Sequence, residues 1–141
     1  MSTYAPIEVG AEAYIVRGGK LLLGLRGPDC YMPNTWGLPG GRLEFLEKAQ
    51  DAVIREIREE LGITVSANAV QFLVLTEDPQ PQYNQHHLHL TYQVDIGDAQ
   101  PKIMEPQSCL EWRWFDPSQL PENVFEPHGL ILEKLTRGQF E

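Results

Sequence analysis

Residues 41–63 read GRLEFLEKAQDAVIREIREELGI, and the fold is decided by how this stretch is read. Ala49, Val53, Ile54, Ile57 and Leu61 recur at helical spacing, and Gly62 follows where a helix-ending glycine would stand. A helix is expected over 48–61. Each helical residue advances about 100°, so Glu56, Glu59 and Glu60 fall within an arc of roughly 100° beside the apolar stripe. One flank then packs on a sheet while its neighbour presents three carboxylates. Like charges one turn apart cost a few tenths of a kcal/mol in water, and more when partly buried. Hard oxygen ligands clustered in this way suit Mg²⁺ or Mn²⁺, with waters and substrate phosphates completing an octahedron. Glu47 and Arg55 are placed to hold the cluster, Arg55 standing one turn before Glu59. A solvated acidic face would account for an arbitrary glutamate-rich helix equally well, so the spacing has to decide.

Outward from this helix the chain alternates strands and turns. Residues 8–16 read as a strand, Gly18-Gly19 as a tight turn, and 20–26 (KLLLGLR) as the returning strand of a hairpin. Residues 27–41 are rich in Gly, Pro and Asn and read mostly as loop, ending in Trp36-Gly37-Leu38-Pro39-Gly40-Gly41. Further strands are expected at 70–76, 87–96 and 110–115, and a short helix at 129–135 that stops before Gly138. No repeat or linker divides the chain, so 1–141 is read as a single mixed α/β domain.

Composition excludes several classes. The 141 residues fit one ordinary domain, and 42% hydrophobic with 22% charged residues is a globular balance. A net charge of −9 disfavours a nucleic-acid backbone or an anionic membrane as partner. The start, Met1-Ser2-Thr3-Tyr4-Ala5-Pro6, has no basic segment followed by an apolar core, and no apolar run approaches the roughly 20 residues that span a bilayer. Cys30 and Cys109 match no zinc pattern and read as reduced thiols. The expectation is a small, acidic, cytoplasmic domain.

The spacing settles the choice left open by the acidic helix. Gly41, Glu47, Arg55, Glu56, Ile57, Glu59, Glu60, Gly62 and Ile63 satisfy all nine defined positions of GX5EX7REUXEEXGU, where U is aliphatic. A chance match in a chain of this length is on the order of one in ten million at average residue usage. This pattern is the Nudix box, and the chain resembles the Nudix hydrolases. The likeness continues in Leu38-Pro39-Gly40-Gly41, in Trp112-Arg113-Trp114-Phe115 and in Leu120-Pro121. It implies an α/β/α sandwich with a central mixed β-sheet carrying the box as loop–helix–loop. It also implies cleavage of a nucleoside diphosphate linked to another group, by water attack at phosphorus. Carried onto this chain, Glu59 and Glu60 become metal ligands through their carboxylates, and Gly40 through its carbonyl. Glu56 is either a further ligand or the general base, so Glu56 and Glu59 are the expected catalytic pair. Mg²⁺ is the expected cofactor, with Mn²⁺ as a substitute.

Outside the box the assignments compete with ordinary structural roles. Glu111 stands where some family members place a further metal-binding or basic carboxylate, and Glu105 is its rival. Arg26, with Gly41, is expected to meet the substrate, a guanidinium fork fitting a phosphate well. Trp36 and Trp112 could stack on a base, whereas Trp114 reads as core. His86, His87 and His89 suggest a metal cluster, but only His87 and His89 would share a strand face and no second ligand pair has the spacing of a partner. They read as strand residues, one of them lining a pocket.

The short domain, with Leu43-Glu44-Phe45 and 104–114, is similar to the MutT-like nucleotide triphosphate diphosphatases. The expected reaction is therefore nucleoside triphosphate to monophosphate and pyrophosphate. Pro79, sixteen residues past the box, points instead to ADP-ribose or nucleotide-sugar hydrolysis. A catalytically silent nucleotide-binding module would be expected to have lost box glutamates, which this chain keeps. The expected partner is a small nucleotide, with no nucleic acid and no membrane. Relatives in the family are often homodimers, and no stretch here marks an interface.

Overall fold

The computed structural model describes residues 6–136. Met1–Ala5 and Gly138, read above as a start without a leader and a helix stop, lie outside the described residues. Eight strands and two helices follow in the order β1 (Glu8–Tyr14), β2 (Val16–Arg17), β3 (Lys20–Arg26), β4 (Trp36–Gly37), β5 (Gly40–Arg42), α1 (Ala49–Leu61), β6 (Val70–Gln80), β7 (Gln85–Val94), β8 (Cys109–Phe115) and α2 (Glu126–Thr136). One sheet is mixed, ordered β5-β1-β7-β6, with β1 and β7 parallel and the other pairs antiparallel. In the second sheet β3 pairs antiparallel with β2, β4 and β8.

Side-chain alternation along β3 builds the sandwich, because successive residues point to opposite faces. Leu22 joins Ala52, Val53, Ile57 and Leu61 of α1 in one buried cluster. Leu21 and Leu23 join Ile131 and Leu132 of α2 in the other. The mixed α/β architecture with a central mixed sheet and two helices is the one expected. No helix among the described residues is long and apolar enough to cross a membrane.

Several boundaries move. The stretch 27–41 is not all loop, since β4 and the start of β5 lie within it. β6 runs four residues past the expected 70–76, carrying Pro79 opposite His86. β6 is an edge strand of its sheet, where a residue without an N–H is tolerated. β7 spans Gln85–Val94 where 87–96 was expected. α2 begins at Glu126, three residues before the expected start, because Pro127 is compatible with a first helical turn that needs no N–H from it.

Candidate active site

α1 ends at Gly62, which takes φ 71° and donates its N–H to the Arg58 carbonyl at 3.1 Å. With Ile57 and Leu61 fully buried, rotation about the helix axis is fixed, and Glu56, Glu59 and Glu60 are held on the flank toward β5. Arg55 gathers this flank. Its Nε donates to Glu47 Oε2 at 2.8 Å and its Nη2 to Glu47 Oε1 at 3.0 Å. Nη1 donates to Glu56 Oε1 at 2.8 Å and to Glu59 Oε2 at 3.2 Å, and Nη2 also reaches the Arg42 carbonyl. Glu47 in turn accepts the Glu44 N–H, and Arg55 holds its carboxyl below the usual carboxylate range. The two support residues read from the sequence therefore meet each other and the cluster.

The glycines of 40–41 fit against the same flank. Gly40, at φ 150°, leaves no room for a side chain, since a Cβ would lie 2.4 Å from the Ala11 carbonyl oxygen. Its N–H donates to Glu60 Oε1 at 2.9 Å. A Cβ on Gly41 would lie 2.5 Å from Glu56 Oε1. Burial, and then the neighbouring carboxylates, raise Glu60 well above the carboxylate range. Burial also raises Glu56, against the pull of Arg55. Three acidic groups crowd one flank beside a single guanidinium, and burial holds Glu56 and Glu60 against ionisation, a donor set that fits a divalent cation.

Beside this flank opens a cavity of about 400 Å³ between the two sheets, closed by the start of α2. Arg26, Gly40, Gly41 and Glu60 line it, and Glu60 acts electrostatically on Arg26. The Arg26 guanidinium lies 4.1 Å over the Phe125 ring, with Nε donating to the Tyr31 carbonyl. Trp112 lines the cavity as well, while Trp36 is buried beneath α2 and Trp114 packs under α1.

The two rivals for a late carboxylate separate. Glu111 shares a strand face with Arg113 and Phe115, the face turned to α2, and pairs with Arg113 at 2.8 Å. The structure does not bring it to the α1 carboxylates. Glu105 lies near enough to Glu56 and Glu60 to raise both.

The floor of the cavity holds Glu12 and His128, which sequence reasoning passed over, with His87 and His89, read there as strand residues of which one lines a pocket. Parallel pairing sets Glu8 beside His87 and Gly10 beside His89, and all four line the cavity with Glu12. His89 Nδ1 meets Glu12 Oε1 at 2.5 Å, and its Nε2 lies 3.6 Å from Asp78 Oδ2. Glu12 and Asp78 together raise His89, although burial opposes them. His128 Nδ1 accepts the Leu38 N–H at 3.0 Å, and burial holds this ring well below the usual imidazole range. Ligand atoms of Glu12, His89 and His128 lie within 4.8 Å of one another, close enough for one cation. Each ring, however, already has Nδ1 in a hydrogen bond, so the trio as it stands is a hydrogen-bonding group. His87 and His89 stack at 5.9 Å as strand neighbours, as expected of them. The available signal for Glu12 was an acid between alanines in an apolar strand, because such a group is rarely buried without a partner.

Known proteins resemble this chain in sequence and fold. A profile of the NUDIX domain matches residues 7–135. The chain is 26% identical over 128 residues to an ADP-ribose pyrophosphatase of Methanocaldococcus jannaschii, covering 91% of this chain and 73% of the relative. It is 32% identical over 94 residues to an 8-oxo-dGTP diphosphatase of Escherichia coli, covering 66% of this chain and 68% of that one. Of a relative from Mycobacterium tuberculosis it spans 57% of the length. The crystal structure of a MutT NUDIX hydrolase from Burkholderia pseudomallei superposes with a TM-score of 0.83 at 30% identity, over 93% of this chain and 99% of that one. The chain belongs to the Nudix hydrolase family.

Proposed function

We propose that the protein is a pyrophosphohydrolase that uses Mg²⁺, or Mn²⁺ in its place, to cleave nucleoside triphosphates to the monophosphate and pyrophosphate. The observation that carries this reading is the continuity of the α1 carboxylate flank with the cavity through Gly40, Gly41 and Glu60. Glu56, Glu59 and Glu60, with the Gly40 carbonyl, would hold the cation. When bound, it supplies positive charge to phosphate oxygens and acidifies water.

The chain's own groups do the rest. Arg55 fixes the carboxylates through Glu47, so their spacing survives their mutual repulsion. Arg26 projects positive charge into the cavity and binds a phosphate oxygen. Glu56 is one carboxylate able to take a proton from the attacking water, and Glu105 is another, because both belong to the same electrostatic cluster. Glu111, engaged with Arg113, is withdrawn from this role.

Product analysis tests the reading. The protein is incubated with Mg²⁺ and each of the four ribonucleoside triphosphates, ADP-ribose and a nucleotide sugar. Pyrophosphate released from triphosphates is expected. Turnover confined to ADP-ribose or the nucleotide sugar would overturn the triphosphate assignment.

A further inference from the structure

Glu12 and His128, together with His89, lie outside the carboxylate cluster, yet all three line the cavity and are at least nine-tenths buried. Their hydrogen-bonding states are fixed from behind. Because His128 Nδ1 accepts the Leu38 N–H, the proton of this neutral ring sits on Nε2, which is therefore a donor. Glu12 takes His89 at one oxygen, and its carboxyl group lies over Gly10, where a Cβ would be 2.7 Å from Oε2 and 3.2 Å from Oε1. His89 Nε2 is buried with no hydrogen-bond partner among the described residues, its closest acceptor being Asp78 Oδ2 at 3.6 Å. A buried polar group left in this condition is costly unless a ligand answers it.

The floor of the cavity thus offers a buried carboxyl group beside the His128 Nε2 donor and the unpartnered His89 Nε2. Tyr31 and Trp112 line the same space with aromatic surface on which a planar group can stack, and Arg26 and Glu60 mark the phosphate end. We propose that Glu12, His89 and His128 read the nucleobase and select guanine. The inference deepens the hydrolase reading and rests on its assignment of this cavity as the substrate site.

A carboxylate is best satisfied by two adjacent N–H donors, and guanine alone among the common bases presents them, at N1 and N2, followed by the O6 acceptor that an imidazole N–H can meet. The amino groups of adenine and cytosine stand beside a ring-nitrogen lone pair, and the uracil N–H stands between two carbonyls. Each sets a lone pair against the carboxylate, and a buried acceptor facing another acceptor is penalised.

Calorimetric titration of the full chain, without metal, with GMP, IMP, AMP, CMP and UMP tests this separately from hydrolysis. GMP is expected to bind at least about tenfold more tightly than AMP, CMP or UMP, the ratio that one charge-assisted hydrogen bond supplies. IMP, which keeps N1–H and O6 but lacks the N2 amine, is expected to fall between. Glu12→Gln should erase the preference while GMP and AMP still bind. If that variant fails to fold, the comparison of IMP with GMP on the wild-type chain decides. Equal affinities for all five, no binding of any, or a preference for AMP or CMP would overturn the proposal. A GMP preference in a protein that hydrolyses no triphosphate would support base reading and overturn the triphosphate assignment instead.

Discussion

Leu46 adopts φ 68° and is 89% exposed, next to Phe45 at 92%, in the loop that leads from β5 to α1. An L side chain in the left-handed region costs about 1–2 kcal/mol, and an exposed leucine recovers little of it by burial. The account therefore predicts that Leu46→Gly raises stability by about 1 kcal/mol, measured as an increase in Tm. A lower Tm would mean that the loop needs this side chain. At the same scale, the residues legible in the sequence were those whose partners are near in the chain. Glu47, Arg55, Glu56 and Glu59 meet within one loop and a few helical turns, so spacing alone placed them together. Glu12 finds its partner 77 positions away in His89, and His128 finds Leu38 90 positions back. No local pattern connects residues that only a parallel strand pair and the packing of α2 bring into one cavity.

Among the elements, α1 was the most legible because periodicity, apolar stripe and terminal glycine all agree on its position. That agreement gives a test at its C-terminus. Gly62 holds φ 71°, and a Cβ there would lie 3.0 Å from Met104 Sδ. Gly62→Ala is expected to lower stability by about 1 kcal/mol, since the alanine must adopt the left-handed conformation that glycine takes freely. Denaturant unfolding measures it, and an unchanged midpoint would contradict the capping role. α2 and β6 were less legible because proline stands near the start of one and near the end of the other. Proline marks a break only where its missing N–H is required, and neither a first helical turn nor an edge strand requires it.

For the whole molecule, charge is the quantity that connects stability to function. The chain carries a net charge of −9, and of its crowded α1 carboxylates Glu60 lines the cavity. Glu56 and Glu60 are raised above the ordinary carboxylate value of 4.5, first by burial and then by neighbouring carboxylates, Glu59 and Glu105 among them. For a carboxyl raised on folding, the stabilising contribution is present below its unfolded pKa and is lost as pH rises through its folded one. The metal-free protein should therefore lose stability from this site as pH rises above about 4.5. A divalent cation that requires the ionised carboxylates reverses the loss. Mg²⁺ is expected to raise Tm more at pH 8 than at pH 5; an equal effect at both would mean that the cation does not bind these groups.

The central claim is that the α1 carboxylates hold the cation that makes hydrolysis possible, and pyrophosphate release from GTP under Mg²⁺ titration tests it most directly, comparing wild type with Glu59→Gln. The account predicts release that depends on Mg²⁺, and turnover lower by at least about a hundredfold in the variant, whose far-UV circular dichroism matches wild type. Near wild-type turnover by the variant in Mg²⁺, or undiminished release by the wild type in excess chelator, would contradict it.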